Sequence, residues 1–318
     1  MRLHEHSDFP AFVTAAAEAA ELQEAFVEKD YWITEILRVI ATTLPERALF
    51  KGGTSLSKGW GLLDRFSEDV DLFVNPSVDP PLNGNQVDKT LKRLKQDVEA
   101  IPGLTFEPAE SQTIGGRGRQ DTFRYQRVFE GPLGFPPTVR LEPGVQSGKH
   151  PTERRPISSI VGQMLTDRGA AEELDAEALE PFEMELLHFR RTFVEKLFAI
   201  HGKIESFKDG GRPLGRDARH YADLFVLAGR QEVVDMLRGE EYELIRLDYD
   251  DTSRAYFPKS YRPPTDLRFG SSDALFPDAE LRATIEPVYE EECRRLFFRP
   301  HPPFAEVLGR MGELRELL

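Results

Sequence analysis

The sequence predicts an α+β protein in which strands and helices form α/β-type layers, followed by a mainly helical second half. Runs with the alternation or apolar content of strands occur between helical segments in the first half. These runs lie at 48–50, 69–74, 122–129 and 138–143. After residue 156 the apolar residues mostly recur at helical spacing. The polar, basic segment 144–156 separates the two patterns, so we predict domains of 1–150 and 151–318.

The helical segments follow from apolar stripes and from residues with high helix propensity. They are predicted at about 11–25, 28–43, 86–100, 158–166, 172–178, 190–203, 217–229, 231–238 and 279–296. Pro45 ends the second of them. A long loop that carries Pro and Tyr is predicted at about 248–278.

The composition limits the possible classes of function. The chain of 318 residues has 41 Lys and Arg against 55 Asp and Glu, for a net charge of −14. This balance argues against an extended surface that coats nucleic acid, but it permits a local basic cleft. Cys293 is the single cysteine, which excludes an intrachain disulfide and a zinc site built from cysteines. No apolar run is long enough to span a membrane and the first residues do not resemble a signal peptide, so we expect a cytoplasmic protein without a membrane partner.

An acid pair on the predicted strand 69–74 is the first candidate for chemistry. Asp69 and Asp71 lie on one face because side chains alternate along a strand. Two carboxylates this close repel each other unless a cation lies between them, and oxygen ligands suit Mg²⁺ or Mn²⁺. Such a pair alone is more often part of a solvated surface.

A glycine turn before that strand strengthens the interpretation. Gly52 and Gly53 let the backbone approach a ligand, and the N–H groups at the following helix start suit a phosphate. Hydroxyls of Thr54 and Ser55 add donors, and Lys58 adds a positive charge that would neutralise phosphate. The alternative is a plain tight turn followed by a solvated lysine. A glycine turn and an acid pair within twenty residues together favour a phosphate-bearing substrate bound with a divalent metal ion.

The segment KGGTSLSKGWGLLDRFSEDVDLFV, with EKDYWITEIL before it, closely resembles the signature of the AbiEii/AbiGii-type toxins, which include MenT-like proteins. These are nucleotidyltransferases of the DNA polymerase β superfamily. FVEKLFAIHG and RDARHYADLFVL resemble two further blocks of the family, so the resemblance covers about residues 26–228. It implies a nucleotidyltransferase core with a small mixed sheet, and a helical C-terminal domain that closes the active-site cleft.

The resemblance also implies roles for individual residues. Gly53 and Ser55 match the phosphate-binding turn, and Asp69 and Asp71 match the metal ligands. Lys196 matches a lysine that holds the triphosphate, and Asp223 matches a downstream catalytic aspartate. Glu142 is the best candidate for a third metal ligand on a neighbouring strand.

The residues themselves leave the two downstream assignments open. Lys196 borders an apolar helical stripe, so its stem can be buried while its ammonium reaches a cleft, but it can equally pair with an acid at the domain boundary. Asp223 alone would be an ordinary surface acid on an amphipathic helix. His220 suits a general base, although a hydrogen-bonded structural histidine is more common.

Partners and substrates follow from the resemblance and from two basic clusters. Arginines and lysines concentrate at 115–127 and at 201–220, and either cluster can contact phosphates or be ordinary surface charge. The family implies an RNA acceptor, with tRNA 3′ ends as a known target class, and a cognate antitoxin. Two alternatives stay open: a nucleotidyltransferase that modifies small molecules such as antibiotics, and a catalytically inactive module that binds nucleotides or proteins.

Overall fold

The structure, a computed structural model, describes residues 2–67, 69–131, 135–170, 174, 179–211 and 213–318. The helix predicted at 172–178 falls, apart from Leu174, outside the described residues. Arg212 of the second basic cluster does so as well. In the part of the chain that is described, no helix is both long enough and apolar enough to cross a membrane.

The chain folds into two compact units that are each discontinuous in sequence. Unit 1 comprises Met1–Gly59, Glu68–Val145 and Glu153–Leu186. Unit 2 comprises Trp60–Ser67, Gln146–Thr152 and Leu187–Leu318. The division therefore differs from a single boundary near residue 150, because the strand at 182–187 joins the sheet of unit 1 by pairing with the strand at 48–51.

Over its described residues, unit 1 is built on one mixed sheet of eight strands, and a mixed sheet is what the sequence predicts for its fold class. The strands are β1 (Ala48–Lys51), β2 (Asp69–Val74), β3 (Leu104–Phe106), β4 (Gln112–Ile114), β5 (Gly118–Tyr125), β6 (Thr138–Gly144), β7 (Thr152–Ile157) and β8 (Phe182–Leu187). Their order is β3-β5-β6-β2-β1-β8-β7, with β4 paired to β5. The central strand β2 pairs antiparallel with β1 and parallel with β6.

Eleven helices are found in the described residues. They are α1 (Phe9–Ala20), α2 (Glu24–Thr43), α3 (Gly52–Thr54), α4 (Gly84–Glu99), α5 (Ile160–Asp167), α6 (Phe189–Lys208), α7 (His220–Ala228), α8 (Gln231–Arg238), α9 (Glu240–Tyr256), α10 (Ala279–Leu296) and α11 (Phe304–Glu313). The single turn α3 continues into a π-helical turn, Ser55–Gly59. The segment of α6 to α11 makes the second half of the chain mainly helical, as predicted.

The core of unit 1 follows from hydrophobic periodicity. In α2 the side chains of Ile36, Leu37 and Ile40 are fully buried, so the apolar stripe of this helix faces the core. In the sheet, Phe50 and Leu72 lie opposite each other on β1 and β2 and are also buried. Burial of this apolar face leaves the other face of β2 to carry polar groups.

The core of unit 2 centres on aromatic rings from three helices. The rings of Tyr221 and Tyr289 each lie 5.1 Å, centroid to centroid, from the ring of Phe304. All three side chains are fully buried, and both tyrosine hydroxyls donate hydrogen bonds to backbone carbonyls. Because these partners satisfy the hydroxyls, the rings can be buried without leaving an unpaired polar group.

Three secondary-structure predictions are wrong. Residues 248–256 belong to α9, so the loop predicted at 248–278 begins later. Helix α9 presents few buried apolar residues, and Leu244 and Leu247 are 66% and 46% exposed, so its stripe is weak. Strand β7 lies largely where the sequence predicts a polar connection. The strand predicted at 122–129 is β5, which begins earlier, at Gly118, and also ends earlier, at Tyr125. Strand β8 lies between two predicted helices, in a segment for which the sequence predicts no element.

Candidate active site

The acid pair lies on the central strand of the unit 1 sheet. Asp69 and Asp71 share one face of β2, as strand alternation requires. Asp69 is buried and Asp71 is half-buried. The guanidinium of Arg140, directly opposite Asp69 on β6, approaches the Asp69 carboxylate to 3.3 Å. A charge partner for one acid is therefore built into the neighbouring strand.

The glycine turn is packed directly against the acid pair. Gly52 has φ +74°, a conformation that favours glycine, and a Cβ placed there would lie 2.1 Å from Asp71 Oδ2. Only glycine permits this approach without displacing the carboxylate. The Thr54 hydroxyl donates a hydrogen bond to the Asp69 backbone carbonyl, which joins the turn to β2.

The hydroxyls of the turn are engaged with backbone groups. Ser55 is fully buried and its hydroxyl donates to the Gly52 carbonyl at 3.0 Å. Ser57 donates to the carbonyls of Gly53 and Thr54 at 3.4 and 3.2 Å. These bonds shape the turn, and they engage the hydroxyl protons of Ser55 and Ser57, which the sequence suggests as side-chain donors, with backbone carbonyls. The roles of Gly53, Thr54 and Ser55 toward a nucleotide stay predictions.

Lys58 has a different environment from the one expected for a phosphate ligand. Its ammonium lies 2.6 Å from Asp30 Oδ1 and donates to the Ser158 carbonyl at 2.9 Å. Asp30 Oδ2 also accepts the Ile160 N–H at 2.8 Å. Asp30 thus connects α2, the π-helical turn and the start of α5, and the Lys58 ammonium is part of this connection. A role of Lys58 toward a nucleotide stays a prediction.

Glu142 extends the acidic group onto β6. It lies directly opposite Asp71 in the parallel pairing of β2 and β6. Burial raises the pKa of Glu142, and the nearby charges of Asp71 and Asp69 raise it further. Gln120 on β5 donates a hydrogen bond to Glu142 Oε1 at 2.7 Å. The three carboxylates are therefore close enough to interact electrostatically.

This donor set fits a hard divalent cation bound by two carboxylates. Mg²⁺ is usually held through one or two carboxylates, with water and substrate phosphates in its other positions. Among the residues that the structure describes, no group of three or more His, Cys, Asp and Glu side chains is arranged to hold a metal ion. Asp69 and Asp71 are the residues that would hold such a cation, and their role as metal ligands, like that of Glu142, stays a prediction.

Lys196 and Asp223 come together in unit 2, although the sequence separates them widely. The Lys196 ammonium lies 2.7 Å from Asp223 Oδ2 and 3.0 Å from His220 Nδ1. Arg65 donates from Nε and Nη2 to the two Asp223 oxygens at 2.6 and 2.7 Å. Asp223 is fully buried and both its oxygens accept charged donors, so its carboxylate is suited to position cations.

The protonation of this buried cluster follows from its charges. Burial alone would raise the pKa of Asp223, but the charges of Arg65 and Lys196 hold it well below the usual range. Burial lowers the pKa of Lys196, an effect that Asp223 opposes. Burial and the Lys196 charge lower the pKa of His220 to about 4, so His220 is neutral near pH 7 and its Nδ1 accepts a hydrogen bond from Lys196.

Sequence reasoning missed three residues of these two sites. Arg65, Asp30 and Arg140 each form an ion pair with a predicted site residue. Arg65 and Asp30 lie inside the segments DRFSEDVD and EKDYW that carry the family resemblance, so a signal for them was present. Arg140 precedes Glu142 by two residues on β6, where strand alternation would place both on one face.

The mixed sheet, the acid pair on its central strand and the glycine turn packed against that pair are the features that the sequence resemblance leads us to expect of a nucleotidyltransferase. The sequence profile of a family described as nucleotidyl transferase AbiEii toxins of type IV toxin–antitoxin systems matches residues 36–310. The chain therefore belongs to the AbiEii nucleotidyltransferase toxin family, as the sequence resemblance indicates.

A solved structure supports the fold. MenT4, a nucleotidyltransferase toxin from Mycobacterium tuberculosis H37Rv, is similar to this chain with a TM-score of 0.55 and 18% sequence identity. The match covers 98% of this chain and 88% of the MenT4 chain. A comparison with curated protein sequences found no significant match.

Proposed function

We propose that this enzyme transfers a nucleoside monophosphate from a nucleoside triphosphate to an RNA acceptor in an Mg²⁺-dependent reaction. The observation that carries the proposal is the packing of the Gly52 turn against Asp71, with Asp69 on the same strand face. This packing supports the proposal, because backbone N–H groups at such a turn suit a phosphate and a pair of carboxylates suits a cation.

The proposed reaction is a displacement at the α-phosphorus. The acceptor hydroxyl oxygen bonds to the α-phosphorus, and the bond from that phosphorus to the β-phosphate bridging oxygen breaks. Pyrophosphate leaves with the electron pair, and the hydroxyl proton passes to solvent. A divalent cation held by Asp69 and Asp71 would neutralise charge that develops on the phosphate oxygens. The turn at Gly52 and Gly53 would orient the triphosphate through its backbone N–H groups.

Lys196 and Asp223 are proposed to serve the same reaction, Lys196 as a group that binds the triphosphate. The saturated hydrogen bonding of Asp223 favours a positioning role for it, because a carboxylate held by Arg65 and Lys196 is a poor proton acceptor. His220, which is neutral and bonded to Lys196, would help to orient the ammonium.

The acceptor class, the partner and the location are proposed from the family. A tRNA 3′ end is the proposed acceptor, a cognate antitoxin is the proposed protein partner, and the cytoplasm is the proposed location. The basic residues of the β5 region suit contacts with an RNA backbone, although Arg119 and Arg124 already pair with acids.

The test is a labelling experiment. The purified protein is incubated with Mg²⁺, each of the four α-³²P-labelled nucleoside triphosphates, and total tRNA that is either intact or oxidised with periodate at its 3′ ends. We expect label on intact tRNA, none on oxidised tRNA, and loss of at least about 100-fold in Asp69→Asn and Asp71→Asn. Asp88→Asn, on the surface of α4, serves as the matched control.

Each other outcome separates the alternatives. Label that persists on oxidised tRNA would exclude the 3′ end as the acceptor. Transfer to a small molecule in a cell extract, with none to RNA, would favour the antibiotic-modifying class. Nucleotide binding without any transfer would favour an inactive binding module.

A further inference from the structure

We propose that Lys51, the last residue of β1, binds the triphosphate group of the nucleotide directly. This inference rests on the proposed function and adds a phosphate ligand to the same site. Two observations support it. Lys51 lies opposite Asp71 in the pairing of β1 and β2, and its ammonium forms no hydrogen bond or ion pair within the described residues.

Lys51 belongs to a row of polar residues that crosses five strands. Lys51, Asp71 and Glu142 lie opposite one another in the strand pairing, as do Gln120 and Gln112. Glu142 and Gln120 are joined by a side-chain hydrogen bond, between the paired residues Gly118–Gly144 and Asp121–Leu141. Opposite residues project from the same face of a sheet. The row runs Lys51 (β1), Asp71 (β2), Glu142 (β6), Gln120 (β5) and Gln112 (β4).

The side chains toward the β4 end of this row are joined by hydrogen bonds. Gln112 Nε2 donates to Gln120 Oε1 at 2.6 Å, and Gln120 Nε2 donates to Glu142 Oε1 at 2.7 Å. Lys51, at the β1 end of the row, is different. Within the ranges that the structure describes, the Lys51 ammonium makes no hydrogen bond or ion pair, although the residue is half-buried.

Lys58, the other candidate lysine of unit 1, contrasts with Lys51, because Asp30 holds its ammonium at 2.6 Å. A partly desolvated ammonium gains free energy when an anion reaches it, and a group already committed to a carboxylate gains less. Lys51 is therefore the lysine of unit 1 that is best prepared to receive an anionic ligand.

The backbone conformation around Lys51 indicates that the anionic ligand would be a phosphate. Lys51 itself is extended, with φ −139° and ψ −173°, so it keeps the facing of the strand. Gly52 then turns with φ +74° toward Asp71. A phosphate at the N–H groups of this turn lies next to the residue that carries the ammonium, and a flexible four-carbon stem reaches it readily.

The charges around Lys51 explain why the ligand would be a triphosphate and not a single phosphate. Asp69, Asp71 and Glu142 contribute three carboxylates to this face, and Arg140 lies beside Asp69. A cation held by the carboxylates would compensate the charge nearest to them. The highly charged β- and γ-phosphates need an additional positive group, which Lys51 supplies.

The experiment measures dissociation constants of ATP, GTP, CTP and UTP and of the corresponding monophosphates by calorimetry, with Mg²⁺ and with EDTA. Wild type is compared with Lys51→Met, Lys51→Arg and the control Lys89→Met, an exposed lysine on α4. We expect Lys51→Met to weaken triphosphate binding by about 10-fold or more in both conditions, which is the usual effect of losing a charged hydrogen bond. Monophosphate binding should stay within about twofold, and Lys51→Arg should recover most of the loss.

Two results would overturn the inference alone. Triphosphate affinity in Lys51→Met equal to wild type would show that Lys51 does not bind the phosphates. An equal loss for triphosphates and monophosphates would assign Lys51 a general role in balancing the acids. If wild type itself bound no triphosphate, the proposed function would fail and not only the role of Lys51.

A second measurement does not depend on how the variants fold. In wild type, amine-reactive labelling of Lys51 is followed by mass spectrometry with and without nucleotide. We expect the nucleoside triphosphate that binds to protect Lys51 from labelling, whereas its monophosphate leaves the rate unchanged. Labelling that is equally fast with and without bound triphosphate would refute the proposal.

Discussion

Arg65 donates hydrogen bonds to both carboxylate oxygens of Asp223 in the interior of unit 2, at 2.6 and 2.7 Å. The two side chains are 1% and 0% exposed. Such a buried ion pair adds little to the free energy of unfolding when it is compared with two apolar residues in its place. Removal of only one partner, however, leaves the other charge buried without compensation. Asp223 also holds Lys196, so its removal would leave two buried cations.

We therefore expect Asp223→Ala to lower the free energy of unfolding by about 3–5 kcal/mol, and Arg65→Met to lower it by a similar amount. The measurement is urea unfolding followed by circular dichroism. Arg93→Met is the matched control, because Arg93 pairs with Asp97 but is 74% exposed, and its loss should cost under about 0.5 kcal/mol. Equal effects at the buried and exposed pairs would contradict the interpretation.

Gly52→Ala should displace the Asp71 carboxylate in addition to straining the backbone. An added Cβ would lie 2.1 Å from Asp71 Oδ2, so the carboxylate must move. Gly169→Ala is the matched control, since Gly169 has nearly the same φ, +72°, and nothing within 4 Å of the added Cβ. Both variants should lose about 1–3 kcal/mol of stability from strain.

Only Gly52→Ala should also reduce nucleotide transfer, by about 100-fold or more, because catalytic carboxylates tolerate little displacement. The measurement is the labelled-triphosphate assay at saturating substrate. Similar activity in the two alanine variants would show that the close contact between Gly52 and Asp71 does not matter for the reaction.

A smaller change, at Thr54, tests the hydrogen bond that fixes the turn to β2. Its hydroxyl donates to the Asp69 carbonyl, and the side chain is 3% exposed. Thr54→Val removes the bond and leaves a buried carbonyl without that donor, so we expect a loss of about 1–3 kcal/mol by urea unfolding. Thr54→Ser keeps the hydroxyl and should lose less. A larger loss in Thr54→Ser than in Thr54→Val would show that methyl packing dominates.

Stability should depend on pH through His220. Its pKa in the folded protein is about 4, below the value near 6.5 of an unfolded histidine, because of burial and the charge of Lys196. As pH falls below 6.5 the unfolded chain takes up the proton first, so stability is lost between about pH 6.5 and 4. Asp223, whose pKa is held well below its usual range, adds a further loss at lower pH with the same sign.

The measurement is the free energy of unfolding from pH 7 to 4 for wild type and His220→Gln. Wild type should lose up to about 3 kcal/mol more than the variant over this range, since each unit of pKa shift is worth ~1.4 kcal/mol. His4 and His201, whose pKa values are also lowered by burial, contribute equally to both proteins. Parallel curves would exclude His220 as a source of the pH dependence.

Several features of the fold could be predicted because they depend on neighbours in sequence. Helix α10 has the predicted bounds 279–296, and β2 has the predicted bounds 69–74. The alternation that places Asp69 and Asp71 on one face needs only the two-residue period of a strand. Helix α9 was missed in part because its polar surface and exposed leucines weaken the apolar stripe on which the prediction depends.

The partners of the site residues depend on contacts between distant parts of the chain. Arg65 and Asp223 are 158 positions apart, and Lys58 finds Asp30 on another helix. Strand order likewise sets Glu142 opposite Asp71, and β8 beside β1. Nothing in local spacing selects among the many acids and bases available for such pairs.

The sequence by itself determined the acid pair, the glycine turn and the family, because these reside in short segments whose geometry is local. Only the tertiary structure decided that Lys58 is held by Asp30, that Asp223 is saturated by cations, and that Lys51 faces the acids without an ion pair among the described residues. The physical reason is that the environment of a charge is set by what chain folding brings within a few ångströms of it. Burial and neighbouring charges then fix its protonation and its availability to a ligand.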